Sequence, residues 1–528
     1  MKRSVRKLIV PLFAAWLVTS ACNLGSVQPT LPPTATATET ETATPEATNT
    51  PAVTATPSHT PTVAATSTIT PTPTLAATLT PSNTPTATAT VPALPAVAIA
   101  LDNYQTVAIN DDVKNSIGQL WLSFINVNDQ SAAGTATPGT TPVPSSANNL
   151  ATVYLISPAT PNTRIKVLDL PASTDDAVYW SPNGAFIAYF LNGEGNGGLY
   201  LLSLEVGYEV RLFALDNLSP HGVANPPAWS PDSRQIAITL STAYDMDIFS
   251  LSPDGSNFRN LTTSPAYDFW PVWSPDGQAL AFVSDRDVCK TYEPNVAGTC
   301  YSEDALPPDG GNLYLYITAT GEVRKLSDAW VTSPPRWINT NRLAFNSGKR
   351  GEPLGGSSLS WVNINSGESK QVTPSEDGLS ALNDAWSPDG SKVVYQEIGT
   401  DTVIVVRDEN GNELARLTDY KFPRFGFAAA WSLDGRRLVI GGRKGQCPYG
   451  MTILNDSLQI LTRANPRPSV CDPLWSPDGK YIAFAGVQSG SDGSFDVYLA
   501  APSGGGIRNV TARLGGEIRP LGWVGRAP

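Results

Sequence analysis

Histidine is almost missing from this 528-residue chain, which has two, His59 and His221. The first lies in a low-complexity tract, and the second follows Ser-Pro in a loop, where it reads as an ordinary surface residue. One histidine outside that tract is too few for a multi-histidine zinc site. Neither a GxSxG elbow nor an HExxH helix is present to anchor hydrolytic chemistry. No metal and no cofactor are therefore expected. Charge is also scarce, at 16 % Asp, Glu, Lys and Arg, while 46 prolines and 43 glycines break the chain. Long amphipathic helices need more charge and fewer breakers, so the composition favours an all-β class rich in turns. The balance that remains is acidic, −12 overall. An acidic body repels phosphate backbones, which excludes nucleic acid as a partner.

The apolar run from Leu8 to Ala21 has 14 residues, short of the roughly 20 a helix needs to span a bilayer. It follows a basic head, Lys2, Arg3, Arg6 and Lys7, which is a signal-peptide layout over residues 1–21. The run closes Val18-Thr19-Ser20-Ala21-Cys22, which resembles a bacterial lipobox, with Thr19 where a leucine is usual. The resemblance implies cleavage before Cys22 and lipidation of its sulfur, giving a membrane partner through a lipid anchor. Plain secretion with cleavage near Ala21 is the alternative. Residues 22–96 are Thr, Pro, Ala and Ser with hardly an aromatic. Such a segment buries too little apolar surface to offset its ordering entropy, so it is expected to be a disordered stalk. Extended, it would reach about 220 Å at ~3.1 Å per residue.

Residues 97–528 repeat one phrase, Trp-Ser-Pro-Asp-Gly followed by an alternating apolar strand. Copies begin at Trp180, Trp229, Trp273, Trp386, Trp431 and Trp475, with a worn one at Trp337 and an orphan at Trp523. Pro-Asp-Gly is turn chemistry that joins two antiparallel strands, and each unit supplies two more strands after them. Four short strands recurring every 40 to 50 residues or so are the mark of a β-propeller. The repeats resemble those of the TolB-like propellers, which also occur in prolyl oligopeptidase-like enzymes. That resemblance, from about Leu120 to Trp523, implies the fold and says little about function. The sequence departs from TolB in having no room for a preceding α/β domain, and from the oligopeptidases in ending soon after Trp523.

Seven units and one orphan strand at the end leave a closing blade to be completed by three strands before Trp180. Eight blades are expected, or seven if the strand at 119–127 is misread. Residues 132–146, a second Thr/Pro tract, become a disordered loop inside the closing blade. The tryptophans are expected to pack between blades.

Apart from Cys22, four cysteines remain. Cys289 and Cys300 share one insertion and form the natural pair. Cys447 precedes the third strand of its unit and Cys471 the first strand of the next, and both loops emerge on one face, so a second bridge there is expected. Free buried cysteines are the alternative. The same face collects aromatic and arginine residues in the loops between units, and Trp270, Trp330, Arg336, Tyr420, Arg424 and Arg519 are the candidate contacts. Packing between blades, or plain surface, is the competing reading of each. The turn Ser284–Asp287 is a solvated turn before it is a cation site.

No catalytic residue stands out. The expected role is a surface-anchored binding or scaffolding protein for a protein, peptide or glycan. The rival is a propeller enzyme, a lyase or hydrolase using carboxylates, or a propeller partner of a separately encoded peptidase. Asp268, Asp384 and Asp472 are the acids such chemistry would draw on, and it needs two of them within about 5 to 10 Å.

Overall fold

The repeated phrase closes on itself through one hydroxyl. In the Trp229 unit, Ser230 Oγ donates to Asp232 Oδ1 at 2.6 Å and accepts from the Gln235 amide at 2.9 Å. The Arg234 amide donates to the same Asp232 oxygen at 3.1 Å. The set recurs at Ser274/Asp276, Ser387/Asp389, Ser432/Asp434 and Ser476/Asp478. The turn ends on a residue at positive φ, which is why glycine follows the aspartate. Gly277 has φ 71° and Gly435 φ 65°. Ser233 occupies that position at φ 62° in the Trp229 copy, and its hydroxyl accepts from the Asn183 amide of the preceding unit.

The computed structural model describes residues 104–127 and 150–525 apart from 162, 172–177, 192–196, 215–224, 242–243, 294, 301–308, 353–356, 375–378, 444, 464–467, 489–490, 492 and 513. Of the two units into which the chain divides, Met1–Ala87 and Thr88–Pro528, the first lies wholly outside the described residues. The signal peptide, Cys22, the stalk at 22–96, the loop at 132–146 and both histidines lie outside them too.

The described strands form antiparallel sheets in sets of four, and the fold is a β-propeller. In the Trp229 unit the set is Ala228–Trp229, Ile236–Ser241, Met246–Leu251 and Arg259–Asn260, each paired with the next. We name the four positions A to D in that order. Six further sets repeat it from Trp180, Trp273, Trp337, Trp386, Trp431 and Trp475. The eighth is built from both ends of the described chain. Glu517–Val524 supplies its strand A and pairs with Trp121–Val127, which is followed by Leu150–Ile156 and Arg164–Pro171.

Each set buries one face against its predecessor and the other against its successor, and eight apolar clusters bridge neighbouring sets. In the closing set, Leu122, Phe124 and Ile156 meet Val497 and Leu499 of the Trp475 unit. On its other face Ile125, Val153 and Leu155 meet Ile187 and Leu202 of the Trp180 unit. The ring of contacts is therefore closed. Burying one such side chain is worth about 1.5–3 kcal/mol, so no set could stand alone.

The tryptophans add a polar tie to this packing. The indole Nε1–H of Trp229 donates to the Tyr179 carbonyl at 3.1 Å, and that of Trp273 to Ala228 at 3.1 Å. Trp337 donates to Val272, Trp431 to Ala385, Trp475 to Ala430 and Trp523 to Leu474. In every case the acceptor is the residue before the preceding unit's own tryptophan. Consecutive A strands are thus joined, and they line the axis of the ring. Trp180 breaks the rule, and so does Trp386, its Nε1 likewise buried with no hydrogen-bond partner among the described residues. There the tie comes from Arg336, whose Nη1 donates to the Asp384 carbonyl at 2.9 Å while Nη2 pairs with the Asp384 carboxylate.

Two elements depart from the expected pattern. Asp111–Ser116 forms a short helix capped by the Asn110 side chain, which accepts from the Asp112 amide, with Val113 buried against the closing set. Gln105–Thr106 adds a fifth strand to the outer edge of the Trp180 unit. An Asn-Asp-Asp start suits a helix N-terminus, but six residues are too few to show a periodicity in sequence.

The indole bonds give a paired expectation. Trp475→Phe should lower the unfolding free energy by about 1 kcal/mol more than Trp386→Phe, because only the first removes a hydrogen bond. Urea unfolding of the two variants measures the difference, and equal losses would show that the indole bonds add nothing to packing.

Candidate binding face

The turns described above stand at one end of each set. The B-to-C and D-to-A loops stand at the other, here called the mouth face. Cys447 in a B-to-C loop and Cys471 at the end of the next D-to-A loop lie 5.4 Å apart at Cα and are disulfide-bonded. Gly442 also pairs with Cys471, and its amide donates to the Val470 carbonyl at 2.8 Å. Two neighbouring units are therefore stapled at the mouth, which fits the strand order without being required by it. A bridge closing 24 residues contributes roughly 3 kcal/mol by chain entropy. Cys289 and Cys300 are paired within their insertion, 5.6 Å apart at Cα.

Strand A carries a bulge at its mouth end in three units, where two residues oppose one. The first of each pair sits at positive φ: Trp270 at 55°, Asn383 at 55° and Asp472 at 47°. Left-handed backbone at a bulky residue is costly and marks a position held by its surroundings. The Trp270 amide donates to Asn225 Oδ1 at 3.3 Å, and its half-buried ring lies edge-on to Phe269, with centroids 4.7 Å apart.

The other sequence candidates do not gather into one site. Trp330 is half-buried at the end of strand Val323–Val331, which there pairs with the next unit at Gly348, and the Arg350 guanidinium lies 5.6 Å from its ring. Arg336 is exposed but engaged by Asp384. Tyr420 is a correction. It is 4 % exposed, packs in the cluster between the Trp386 and Trp431 units, and donates to Thr452 Oγ1, so it belongs to the core. Arg424 is exposed, 5.4 Å from the ring of Phe425. Arg519 lines a separate cavity of about 300 Å³ with Val127, Cys471, Asp472, Phe495 and Glu517. Phe425 was not among the candidates, because an aromatic beside the apolar Phe427–Trp431 strand reads as core. It is 46 % exposed, at φ 63°.

A family model described as the TolB β-propeller domain matches residues 171–301. Over these residues the chain is similar to the TolB propellers. A TolB homolog of Chlorobium luteolum is 35 % identical over 106 residues, 20 % of this chain and 23 % of the relative. An uncharacterized protein of Agrobacterium fabrum is 30 % identical over 137 residues, 26 % of this chain and 44 % of the relative. The chain thus spans less than half the length of these curated relatives. Among solved structures, a putative TolB of Agrobacterium tumefaciens aligns with a TM-score of 0.31 at 18 % identity, over 56 % of this chain and 90 % of that one. An oligogalacturonate lyase of Vibrio parahaemolyticus gives 0.39 at 15 %, over 73 % and 98 %.

In this TolB-like propeller, two of the three acids singled out from sequence are each engaged by an arginine. Asp268 is fully buried and pairs with Arg286 at 2.7 Å, and Asp384 pairs with Arg336. The third, Asp472, shares its cavity with Glu517 and Arg519. The turn at Ser284–Asp287 is solvated only in its second half, where Asp287 is exposed. Asp285 is 2 % exposed and accepts from the Tyr267 amide and the Tyr292 hydroxyl, while Asp287 pairs with Lys325. No group of three metal-ligating side chains occurs among the described residues.

The carboxyls of the TolB-like propeller divide by environment. Burial pushes Asp268 up to about 6 against the pull of Arg286, and Asp285 up to about 6 against the Tyr292 hydrogen bond. Burial, reinforced by nearby Asp247, pushes Asp245 up to about 7. In the turns, burial alone would raise Asp232, Asp276, Asp389 and Asp478, but the serine hydroxyls and turn amides hold them below their ordinary value. At Asp434 the Ser432 hydrogen bond dominates. Raised carboxyls withdraw stability as pH rises from the ordinary value of about 4 up to 6 to 7, and lowered ones withdraw it as pH falls below that ordinary value. The melting temperature should therefore peak at about pH 4 and fall on both sides. Asp245→Asn should flatten the neutral side only. Circular dichroism melts from acid to neutral pH measure this, and a melting temperature still climbing at neutral pH would contradict the raised carboxyls.

Proposed function

We propose that this chain is an exported, lipid-anchored protein whose eight-bladed propeller binds a protein partner through its mouth face. The observation that carries the reading is the construction of that face. Its loops are stapled between units by Cys447–Cys471 and hold aromatic and polar residues, Trp270, Asn383, Phe425 and Asp472, in left-handed backbone. Rigid loops displaying such side chains lose little entropy when a partner docks. Carboxylate chemistry is the weaker reading, because Asp268 and Asp384 are each committed to an arginine. Peptide and glycan ligands would use the same face.

Export and anchoring rest on the basic head, the 14-residue apolar run and Cys22. The stalk at 22–96 would carry the propeller away from the membrane surface. Mass spectrometry of the mature protein should find an N-terminal Cys22 carrying a diacylglyceryl group. A soluble product with an unmodified N-terminus near Cys22 would leave secretion alone.

A further inference from the structure

Charge is unevenly spread over this chain. Against a net −12, the mouth end of the Trp431 unit presents Lys421, Arg424, Arg443 and Arg463, all exposed. Asp419, 3.8 Å from Arg463, is the one acid among the described residues of the three segments that carry them, 418–426, 443–450 and 463–470. Contacts beneath hold these segments together. The Lys421 amide donates to the Tyr449 hydroxyl at 2.7 Å, and the Tyr449 ring lies edge-on to Tyr420 and Phe422, at 5.1 Å from each. The Arg443 amide donates to the Gly426 carbonyl at 3.1 Å, and its guanidinium to Asn383 Oδ1 at 3.0 Å. Arg463 lies 5.3 Å from the Tyr420 ring, and the Cys447–Cys471 bridge fixes the far side.

Phe425 stands among these cations. Its backbone is left-handed and its ring is nearly half exposed, so the unit bears a strain of about 1–3 kcal/mol without burying the aromatic. Folding gains little from that arrangement. A partner that covered the ring would recover about 2 kcal/mol of apolar burial.

We infer that this sector docks an acidic peptide segment of a partner protein, its carboxylates meeting Lys421, Arg424 and Arg443 and an apolar side chain covering Phe425. The inference rests on the binding role proposed above and names the partner's chemistry. A peptide supplies carboxylates and an apolar group side by side. A continuous polyanion would gain nothing from Phe425 and would meet the negative field of the rest of the chain.

Selection of random peptides displayed on phage against the full chain, followed by fluorescence anisotropy of the enriched sequences, tests this. Enriched peptides should be acidic and carry a large apolar residue. Their affinity should fall about tenfold or more, equal to about 1.4 kcal/mol, in Lys421→Glu/Arg424→Glu and in Phe425→Ala. It should weaken with added salt and hold in Arg436→Glu, a substitution on the turn face. Unchanged melting curves show that the exposed substitutions leave the fold intact. Enriched peptides without acidic bias, or acidic ones that bind the double variant as they bind the original, overturn the sector while leaving the binding role standing. Phosphatidylglycerol vesicles or a sulfated polysaccharide bound in place of any peptide, and lost in the double variant, overturn the choice of partner. Binding to none of these probes overturns both readings.

Discussion

The tie between one A-strand tryptophan and the strand before it is the constraint on which the rest of the structure depends. Each indole packs against a neighbouring unit and, in six units, donates to a carbonyl one residue before the previous tryptophan. A four-stranded set of this kind is apolar on both faces and has no stable existence by itself. Repetition of one contact turns that liability into a ring, and pairing of Glu517–Val524 with Trp121–Val127 completes it. Stability on this account is shared around the circle, so a weak link such as Trp386 is tolerated where Arg336 and Asp384 join the same strands.

A rigid ring leaves its two ends free to differ. At the turn end the Ser–Asp hydrogen bonds repeat in five units with little variation. At the mouth the chain spends residues on insertions, two disulfides, bulged strands and left-handed backbone. None of these is required to close a sheet. Their concentration on one face is why that face is taken as the working one.

The fold was legible in the sequence because its code is local. Trp-Ser-Pro-Asp-Gly spells a turn whose bonds all lie within a few residues, and its recurrence announces the architecture. The Cys447–Cys471 pairing was legible too, since strand order alone sends both loops to one face. The candidate contacts were less legible. Tyr420 and Phe425 lie five residues apart in one loop, yet one is buried and the other exposed. That exchange is decided by Tyr449, a tertiary neighbour that packs on Tyr420 and Phe422, and by the left-handed backbone at Phe425. Neither leaves a mark on local hydrophobic pattern. The helix Asp111–Ser116 escaped for a simpler reason, its shortness.

The claim that the mouth face is the working face is tested most directly by photo-crosslinking in cells that express the full chain. A photoreactive residue is placed at Phe425 in one version and at Leu433 in the other. Both are exposed apolar positions of the Trp431 unit, at opposite ends of the ring. Adducts to a partner protein from position 425 and none from position 433 are predicted. Adducts from position 433 alone would contradict the account.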